Sequence, residues 1–294
     1  MATLKEIRGR IGSVRNIAQI TRAMEMVAAS RMKRAQEAIL AARPYSDELR
    51  DALSRVAAAV TEEVHPLLAR RPVRRIGLIV VTTDRGLAGS INANAIRATL
   101  RYLSQRSRSD DAESVEIEAI TVGRKGRDAL RRVGVPIAAH FSQLGDRPAF
   151  SDVTPLARLV VDDFVEGKYD EIGIEYSSFI STLTQRPIIK TILPVEPPQM
   201  EEQRAVTNDE YLFEPSPEAV IRQLLPHYVA VDIYRAVLEN NASEQSARMI
   251  AMRNSTDNAN ELIDDLTLVY NKTRQANITR EMSEIASGAE ALAG

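Results

Sequence analysis

Residues 227–294 read HYVAVDIYRAVLENNASEQSARMIAMRNSTDNANELIDDLTLVYNKTRQANITREMSEIASGAEALAG and contain no proline. Proline removes a backbone donor and clashes with the preceding turn of a helix, so a stretch without it can run as one helix. At about 1.5 Å per residue such a helix is more than about 90 Å long, which exceeds the width of a small globular domain. The stretch therefore predicts a shaft rather than one wall of a pocket.

Residues 1–43 also lack proline, and their small and apolar residues recur in alternating steps of three and four. That spacing is typical of a coiled-coil seam. Residues 1–43 carry nine Lys/Arg against three Glu, whereas residues 227–294 carry six Arg/Lys against ten Asp/Glu. Two helices of opposite charge favour pairing, so the chain ends are predicted to form an antiparallel coiled coil. The predicted seam, interrupted at Glu25, consists of Leu4, Ile7, Ile11, Val14, Ala18, Thr21, Ala28, Met32, Ala35, Ile39 and Ala42.

The C-terminal helix is predicted to begin with Ser216 as its N-cap and Pro217 at its first position. Pro226 predicts a kink or a break between two helices. A buried two-helix core would not place Asn254 and Asp257 at seam positions, so these residues are predicted to contact partners, a solvated face being the alternative. Three apolar stripes are predicted: Val229, Ile233, Ala236, Ala247 and Ile250; Ala259, Leu262, Leu266, Val269, Thr273 and Ala276; and Ile278, Met282, Ile285, Ala289 and Leu292.

The middle of the chain reads as alternating strands and helices, which favours a mostly parallel α/β sheet. The apolar, β-branched run at residues 76–82 is typical of a strand that is covered on both faces. Further strands are predicted at 115–122, 137–141, 171–176 and 188–195, and helices at 92–103, 125–133 and 154–166. A polar loop is predicted at 104–113 and a linker at 194–210. The predicted organisation is a coiled-coil helix at 1–60, a Rossmann-like α/β domain at 72–196, a linker or foot at 197–215 and a second coiled-coil helix at 216–294.

The sequence contains no recognisable catalytic or metal-binding constellation. The absence of cysteine excludes disulfides and thiolate metal sites, and the three histidines are far apart in the sequence. Gly86 and Gly89 follow a strand and precede a helix, where a dinucleotide would bind, but a tight turn capped by Ser90 explains them better. The basic N-terminus lacks the aromatic residues and motifs of nucleic-acid binding. We expect no catalytic residue, no metal and no cofactor in this chain.

Nothing in the sequence predicts a membrane span or a targeting signal. The longest apolar runs fall short of the roughly 18 residues that cross a bilayer. The N-terminus is charged from Lys5 and has neither an apolar signal core nor a long acid-poor leader. These features favour a bacterial cytoplasmic protein.

Several long motifs resemble the gamma subunit of F-type ATP synthase. They are ITRAMEMVAASRMKRAQ (20–36), TTDRGLAGSINAN (82–94), LTQRPIIKTILPV (183–195), YLFEPSP (211–217) and most of the C-terminal stretch (242–292). The resemblance covers essentially the whole chain. It implies a left-handed antiparallel coiled coil with a Rossmann-like domain at its base, which binds no nucleotide and acts as a rotor shaft.

The resemblance also implies partners and contact residues. The coiled coil would thread a ring of three alpha and three beta subunits, and its base would sit on the c-subunit ring beside an epsilon subunit, peripheral to the cytoplasmic side of the bacterial inner membrane. Met24 would face the lever of the catalytic subunit, and Tyr211 and Glu214 would form the foot on the c ring. Coupling and bearing contacts would involve Arg248, Gln275, Thr279, Glu281, Ile285 and Leu292.

Other interpretations of the same residues stay open. Met24 is alternatively a core residue, Arg248 and Glu281 solvated charges, Tyr211 a loop anchor, and the apolar tip a helix end that buries itself. For the whole chain the alternatives are a homo-oligomeric coiled-coil scaffold and a dinucleotide-binding Rossmann-like protein.

Overall fold

The computed structural model describes residues 3–58, 65–106, 115–196 and 214–293, and within these it combines a five-stranded sheet with two long helices. The helices are α1 (Leu4–Ala58), α2 (Ile91–Arg106), α3 (Arg124–Arg132), α4 (Phe150–Val165) and α5 (Pro217–Ala293), and the strands are β1 (Arg75–Val81), β2 (Glu116–Val122), β3 (Ile137–Phe141), β4 (Glu171–Phe179) and β5 (Gln185–Leu193). The chain divides into two compact units, one of Met1–Ala28 with Arg248–Gly294 and one of Ala29–Ala247. The domain boundaries predicted from the sequence stay a prediction.

The sheet has the strand order β3-β2-β1-β4-β5, in which only β5 is antiparallel to its neighbour. The prediction of a mostly parallel sheet is confirmed. β1 is buried along almost its whole length because helices cover both of its faces. β5 runs antiparallel because a short hairpin connects it directly to β4, which leaves no room for a crossover helix.

Two clusters of buried apolar residues pack on the two faces of the sheet. Phe164 of α4, Leu53 of α1 and Ile233 of α5 belong to the larger cluster, on one face of the sheet. Leu78 of β1 and Leu130 of α3 belong to the smaller one, on the other face. The larger cluster therefore fastens parts of both long helices to the sheet.

In the other unit, α1 and α5 pair side by side. Arg8 Nη2 donates to Tyr270 Oη at 2.6 Å, and the hydroxyls of Thr21 and Thr256 are 2.7 Å apart. The two residue numbers of each pair add to 277 or 278. Residue numbers therefore increase along one helix as they decrease along the other, which is antiparallel pairing. Every residue of the predicted α1 seam is buried or half-buried, both those up to Ala28 in this unit and those from Met32 to Ala42 in the unit that contains the sheet. The antiparallel pairing and the α1 seam are confirmed.

The α5 seam coincides only in part with the second predicted stripe. Ala259, Leu266 and Thr273 of that stripe are buried or half-buried, whereas Leu262 and Val269 are each 46% exposed and Ala276 is exposed, so the prediction is wrong at these three positions. Asn254 and Asp257 are exposed and take no part in the buried row, and the partner contact predicted for them stays a prediction. The buried or half-buried row consists of Met252, Thr256, Ala259, Ile263, Leu266, Tyr270, Thr273 and Asn277.

Both long helices run further than their prolines suggest. α5 continues through Pro226, and α1 through Pro44, so a break between two helices at Pro226 is wrong, and the alternative of a kink stays a prediction. The neighbouring residues Leu225 and Val229 are fully buried in the larger cluster, which offsets the loss of one helical hydrogen bond.

The start of α5 agrees with the sequence. Ser216 Oγ accepts the amide of Ala219 at 3.2 Å, and Pro217 is the first helical residue. The predicted cap is therefore confirmed.

The predicted polar loop at 104–113 begins later than expected. α2 extends to Arg106, whose guanidinium lies 2.9 Å from the Glu171 carboxylate. This long-range ion pair supports the last turn of α2. The rest of the predicted loop lies outside the described residues, as does the predicted linker from residue 197 onward.

Candidate partner-contact surfaces

The glycine loop after β1 is closed by its own polar groups. The Thr83 amide donates to Asn92 Oδ1 at 3.1 Å, and Asn92 Nδ2 donates to Thr83 Oγ1 at 2.8 Å. Ser90 accepts the Asn94 amide through its carbonyl at 2.9 Å, and its Oγ accepts Asn94 Nδ2 at 3.3 Å. These bonds agree with a tight strand-to-helix turn, in which Asn92 bonds the start of the loop.

A polar cavity of about 430 Å³ lies at the same edge of the sheet. Asp84 lines it, and its carboxylate accepts the amides of Arg124 and Gln143 at 3.0 and 2.8 Å. The carboxylate also lies 3.6 Å from Arg124 Nε, so it joins three loops and is occupied by groups of the chain itself. These contacts support the interpretation of the glycine loop as a structural turn.

Three apolar side chains project from this edge of the sheet. Leu87 is 63% exposed and has a left-handed φ of 62°, while Ile180 and Leu183 of the β4–β5 hairpin are 59% and 80% exposed. A branched residue with positive φ is uncommon, and such conformations cluster at functional sites. Sequence reasoning missed this surface, although a leucine between two glycines was a visible signal.

Met24 lies on α1 beside the seam and is half-buried. It shares a row with Ile17, Ile20 and Val27, which are 52%, 59% and 51% exposed. The seam at this level consists of Thr21, Glu25 and Ala28, and Met24 lies beside it, so the partner contact of Met24 and its alternative as a core residue both stay predictions. Residues 17, 20, 24 and 27 thus form an apolar surface beside the seam. The sequence prediction did not include it, although the spacing of three and four residues is typical of one helix face.

Most of the predicted bearing residues lie beyond the paired part of α5. The pairing register places Leu4, the first residue of α1, opposite about residue 274. α5 continues to Ala293, so its last five turns, roughly 27 Å, extend past α1. We call residues 275–293 the overhang; it carries Gln275, Thr279, Glu281, Ile285 and Leu292.

The overhang is exposed and partly apolar. Every residue from 278 to 289 is exposed, and Ile278, Met282 and Ile285 are 49%, 66% and 72% exposed. Gln275, Thr279 and Glu281 are exposed too, so the same segment presents both apolar and polar side chains to a partner. Leu292 lies in the last turn, outside the part whose side chains are described.

The remaining predicted residues are separate from the overhang. Arg248 is only 8% exposed and lies one turn before Met252 on the buried row, so a solvated charge does not describe it. Glu214 is exposed immediately before α5, and Tyr211 lies outside the described residues.

Glu175 is an unexpected buried acid in the middle of β4. It is fully buried, and neither carboxylate oxygen has a hydrogen-bond partner within the described residues. Burial raises the pKa of Glu175 to about 8. The side chain is therefore largely protonated at neutral pH.

The described residues contain neither a metal-binding cluster nor a membrane-spanning helix. No three His, Asp or Glu side chains there lie close enough together to hold a metal ion. None of the described helices combines the length and the hydropathy that crossing a membrane requires.

These features define a class of α/β proteins whose terminal helices pair as an antiparallel coiled coil. The sequence matches the family model described as ATP synthase over residues 3–292. It is 51% identical to the ATP synthase gamma chain of Roseiflexus castenholzii, covering 100% of this chain and 99% of the relative. It is 48% identical to the ATP synthase gamma chain of Dehalococcoides mccartyi strain BAV1, covering 100% of both. The chain belongs to the ATP synthase gamma chain family.

Solved structures agree at the level of the fold. The rotor of Euglena gracilis mitochondrial ATP synthase superimposes with a TM-score of 0.63 at 19% identity, covering 94% of this chain and 98% of that one. The central stalk and c-ring structure of the Tetrahymena thermophila enzyme gives 0.59 at 24% identity, covering 80% and 98%.

Proposed function

We propose that this chain is the central-stalk rotor shaft of an ATP synthase and couples ion flow through a c ring to catalysis on a ring of alpha and beta subunits. The observation that carries the proposal is the overhang, an exposed helix with apolar side chains that extends past its coiled-coil partner. Soluble proteins rarely leave such a surface uncovered unless another molecule contacts it. The gamma-chain relatives supply the identity of that molecule.

The proposed role requires no chemistry from the chain itself. A shaft acts by contacting several catalytic subunits unequally, which biases their conformational populations. The beta subunits would carry out catalysis, and the chain would be a non-catalytic subunit. The lack of a catalytic constellation in the sequence supports this division of labour.

The overhang fits a bearing because its apolar side chains make non-directional contacts. Burial of Ile278, Met282 and Ile285 does not require one fixed orientation, in contrast to hydrogen bonds. A helix surrounded by such contacts can turn within them. Gln275, Thr279 and Glu281, with Leu292 beyond them, would adjoin the surrounding ring.

The exposed row around Met24 fits a coupling contact. Ile17, Ile20, Met24 and Val27 present an apolar strip beside the seam, and a lever of a catalytic subunit can pack on it without opening the coiled coil. Leu87, Ile180 and Leu183 form a second candidate contact. Arg248, which lies on the buried row of α5, is proposed to take part in the coupling contact through its small exposed part.

The base of the shaft would contact the c ring and an epsilon subunit. Glu214 is exposed at the start of α5, and Tyr211 is its proposed neighbour in the foot. Attachment to the membrane would be peripheral and indirect, on the cytoplasmic side of the bacterial inner membrane. The solved structure from Tetrahymena combines a central stalk with a c ring, which supports this arrangement by analogy.

Affinity purification from detergent-solubilised membranes tests the proposal. The tag is best placed within residues 107–113, because a tag after Gly294 would be attached to the overhang itself. One copy of this chain with three copies each of two larger subunits, and ATPase activity in the eluate, is the expected result. Recovery of the chain alone or as a homo-oligomer contradicts the proposal and favours the scaffold alternative. Nucleotide binding by the isolated chain in calorimetry favours the dinucleotide-binding alternative.

A further inference from the structure

The stretch of α5 at residues 239–246 is polar where the helix crosses the sheet. Immediately before it, α5 packs on the sheet with the buried apolar residues Ile233, Ala236 and Val237. Burying polar side chains costs free energy unless they are hydrogen-bonded. The buried polar residues of the stretch, all at most 8% exposed, are Asn240, Asn241, Ser243, Gln245 and Ser246.

Two side chains of this stretch, one helical turn apart, form hydrogen bonds with the main chain of one residue of β4. The Ser177 amide donates to Asn240 Oδ1 at 3.2 Å, and Ser243 Oγ donates to the Ser177 carbonyl at 2.8 Å. β1 pairs with β4 only as far as Glu175, so Ser177 lies beyond the last β1 pair. Side chains of α5 thus bond both main-chain groups of this residue.

The same stretch also bonds two loops of the sheet and its helices α2–α4, residues 65–196, which we call the globular unit. Ser246 Oγ donates to the Thr182 carbonyl in the β4–β5 hairpin at 2.6 Å. Asn241 Nδ2 donates to the Asp146 carbonyl at 3.0 Å. With 3.6 residues per turn, the contact points from Ser246 through Asn240 to Asn241 span roughly 220° of the helix circumference. The helix is therefore held from both sides.

The loop that receives Asn241 also binds the other long helix. The Asp146 carboxylate lies 2.9 Å from Arg31 Nη1 of α1, while its carbonyl accepts Asn241 of α5. One residue of the globular unit thereby bonds both helices.

We propose that residues 239–246, the joint segment, fix α5 to the globular unit against rotation and sliding and are the point at which torque passes between them. Apolar packing is non-directional, so a helix held by it alone can shift or turn to a neighbouring packing arrangement. Hydrogen bonds have narrow limits of distance and angle, and buried ones are costly to break. The importance of torque rests on the proposed function; the rigidity of the contact does not.

A triple variant tests the joint segment. N240L/S243A/S246A removes the acceptor and two hydroxyl donors, and it keeps the number of side-chain heavy atoms at position 240. The matched control is S255A/T267V on the same helix, because Ser255 and Thr267 donate only to their own helix, at Ala251 and Ile263. Both variants are made in the full chain.

The first measurement is hydrogen exchange of the isolated full chain. The Ser177 amide is expected to exchange at least about tenfold faster in the joint variant, because it loses its acceptor, and at the unchanged rate in the control. Unchanged exchange at Ser177 in the joint variant overturns the proposal.

The second measurement uses the chain assembled with its alpha and beta partners. Since the protein has no cysteine, R101C on α2 gives a single attachment site for a rotation probe. During catalytic pauses the angular variance of the probe is expected to be roughly twofold larger in the joint variant and unchanged in the control. A variance equal to that of the wild type, at normal subunit stoichiometry, overturns the torque role. Failure of the wild-type chain to assemble contradicts the proposed function, and the exchange measurement then still decides whether the joint is rigid.

Discussion

Arg253 Nε lies 2.9 Å from Glu25 Oε1, across the helix pair that α1 and α5 form. Glu25 is the residue that interrupts the apolar seam of α1, and its side chain is 20% exposed against 60% for Arg253. The interruption is thus matched by a basic residue on the partner helix. Because an ion pair accepts only the opposite charge, this contact helps to specify the register of the coiled coil.

We expect Glu25→Gln to lower the free energy of unfolding by about 0.5 kcal/mol, since partly exposed ion pairs contribute little. E25R should cost more because it places two like charges together, and E25R/R253E should recover most of the loss. Urea unfolding of the isolated chain, followed by circular dichroism at low and high salt, measures these differences. Glu37→Gln, at an exposed glutamate on the same helix, is the control. Additive effects of E25R and R253E would show that the two residues do not interact.

Much of the fold can be predicted from the sequence, because buried residues recur with the simple periods of helices and strands. β1 and the α1 seam are predicted correctly because one apolar pattern dominates each of them. The α5 seam is predicted only in part, because adjacent positions on both sides of it are apolar and contacts with α1, such as that of Thr256 with Thr21, select among them. The end of α2 depends on a distant partner, Glu171 for Arg106, which no local pattern records.

The candidate surfaces were only partly readable. The motif around Met24 indicates a contact, but the exposure of Ile17, Ile20 and Val27 depends on which row of α1 faces α5. The polar run at 239–246 looks like a solvated surface in the sequence, and the apolar stripe prediction passed over it. Its burial depends on main-chain groups of β4 and two loops, which are available only after the sheet has formed.

Glu175 predicts an unusual pH dependence of stability. Its pKa is raised to about 8 in the folded chain, against the ordinary value of 4.5, so between these values the folded chain holds a proton that the unfolded chain releases. The free energy of unfolding should therefore fall as pH rises through this range. Glu175→Gln stays neutral and should remove this contribution, with a gain at pH 9 of at most about 5 kcal/mol.

Urea unfolding of wild type and Glu175→Gln from pH 5 to 9 tests this expectation. Glu116→Gln, at an exposed glutamate of β2, controls for loss of one negative charge. Parallel stability curves for wild type and Glu175→Gln would contradict a protonated Glu175 in the folded chain.

The overhang predicts that solubility and stability can be changed separately. We expect I278S/M282S/I285S to reduce self-association of the isolated chain, because these side chains are exposed, and to leave its thermal midpoint unchanged. Replacing the half-buried Ile263 by Ser should instead lower the unfolding free energy by roughly 2 kcal/mol. Light scattering and thermal unfolding measure the two effects. A large fall in the midpoint of the triple variant would mean that the overhang is packed in the isolated chain.

Met24→Lys tests the coupling surface in the assembled complex. A lysine there places a charge in the apolar strip between Ile20 and Val27, where a catalytic subunit is proposed to pack, and desolvation of that charge opposes the contact. We expect fewer protons pumped per ATP hydrolysed, while the isolated chain keeps its stability because Met24 lies outside the seam.

Met26→Lys is the matched control, since Met26 is 62% exposed and lies on a different side of α1. Pumping by inverted membrane vesicles, divided by their ATPase rate, gives the coupling ratio for both variants. An equal ratio in Met24→Lys and wild type would remove Met24 from the coupling contact, and an equal loss in both variants would show that any lysine on this part of α1 disturbs the complex.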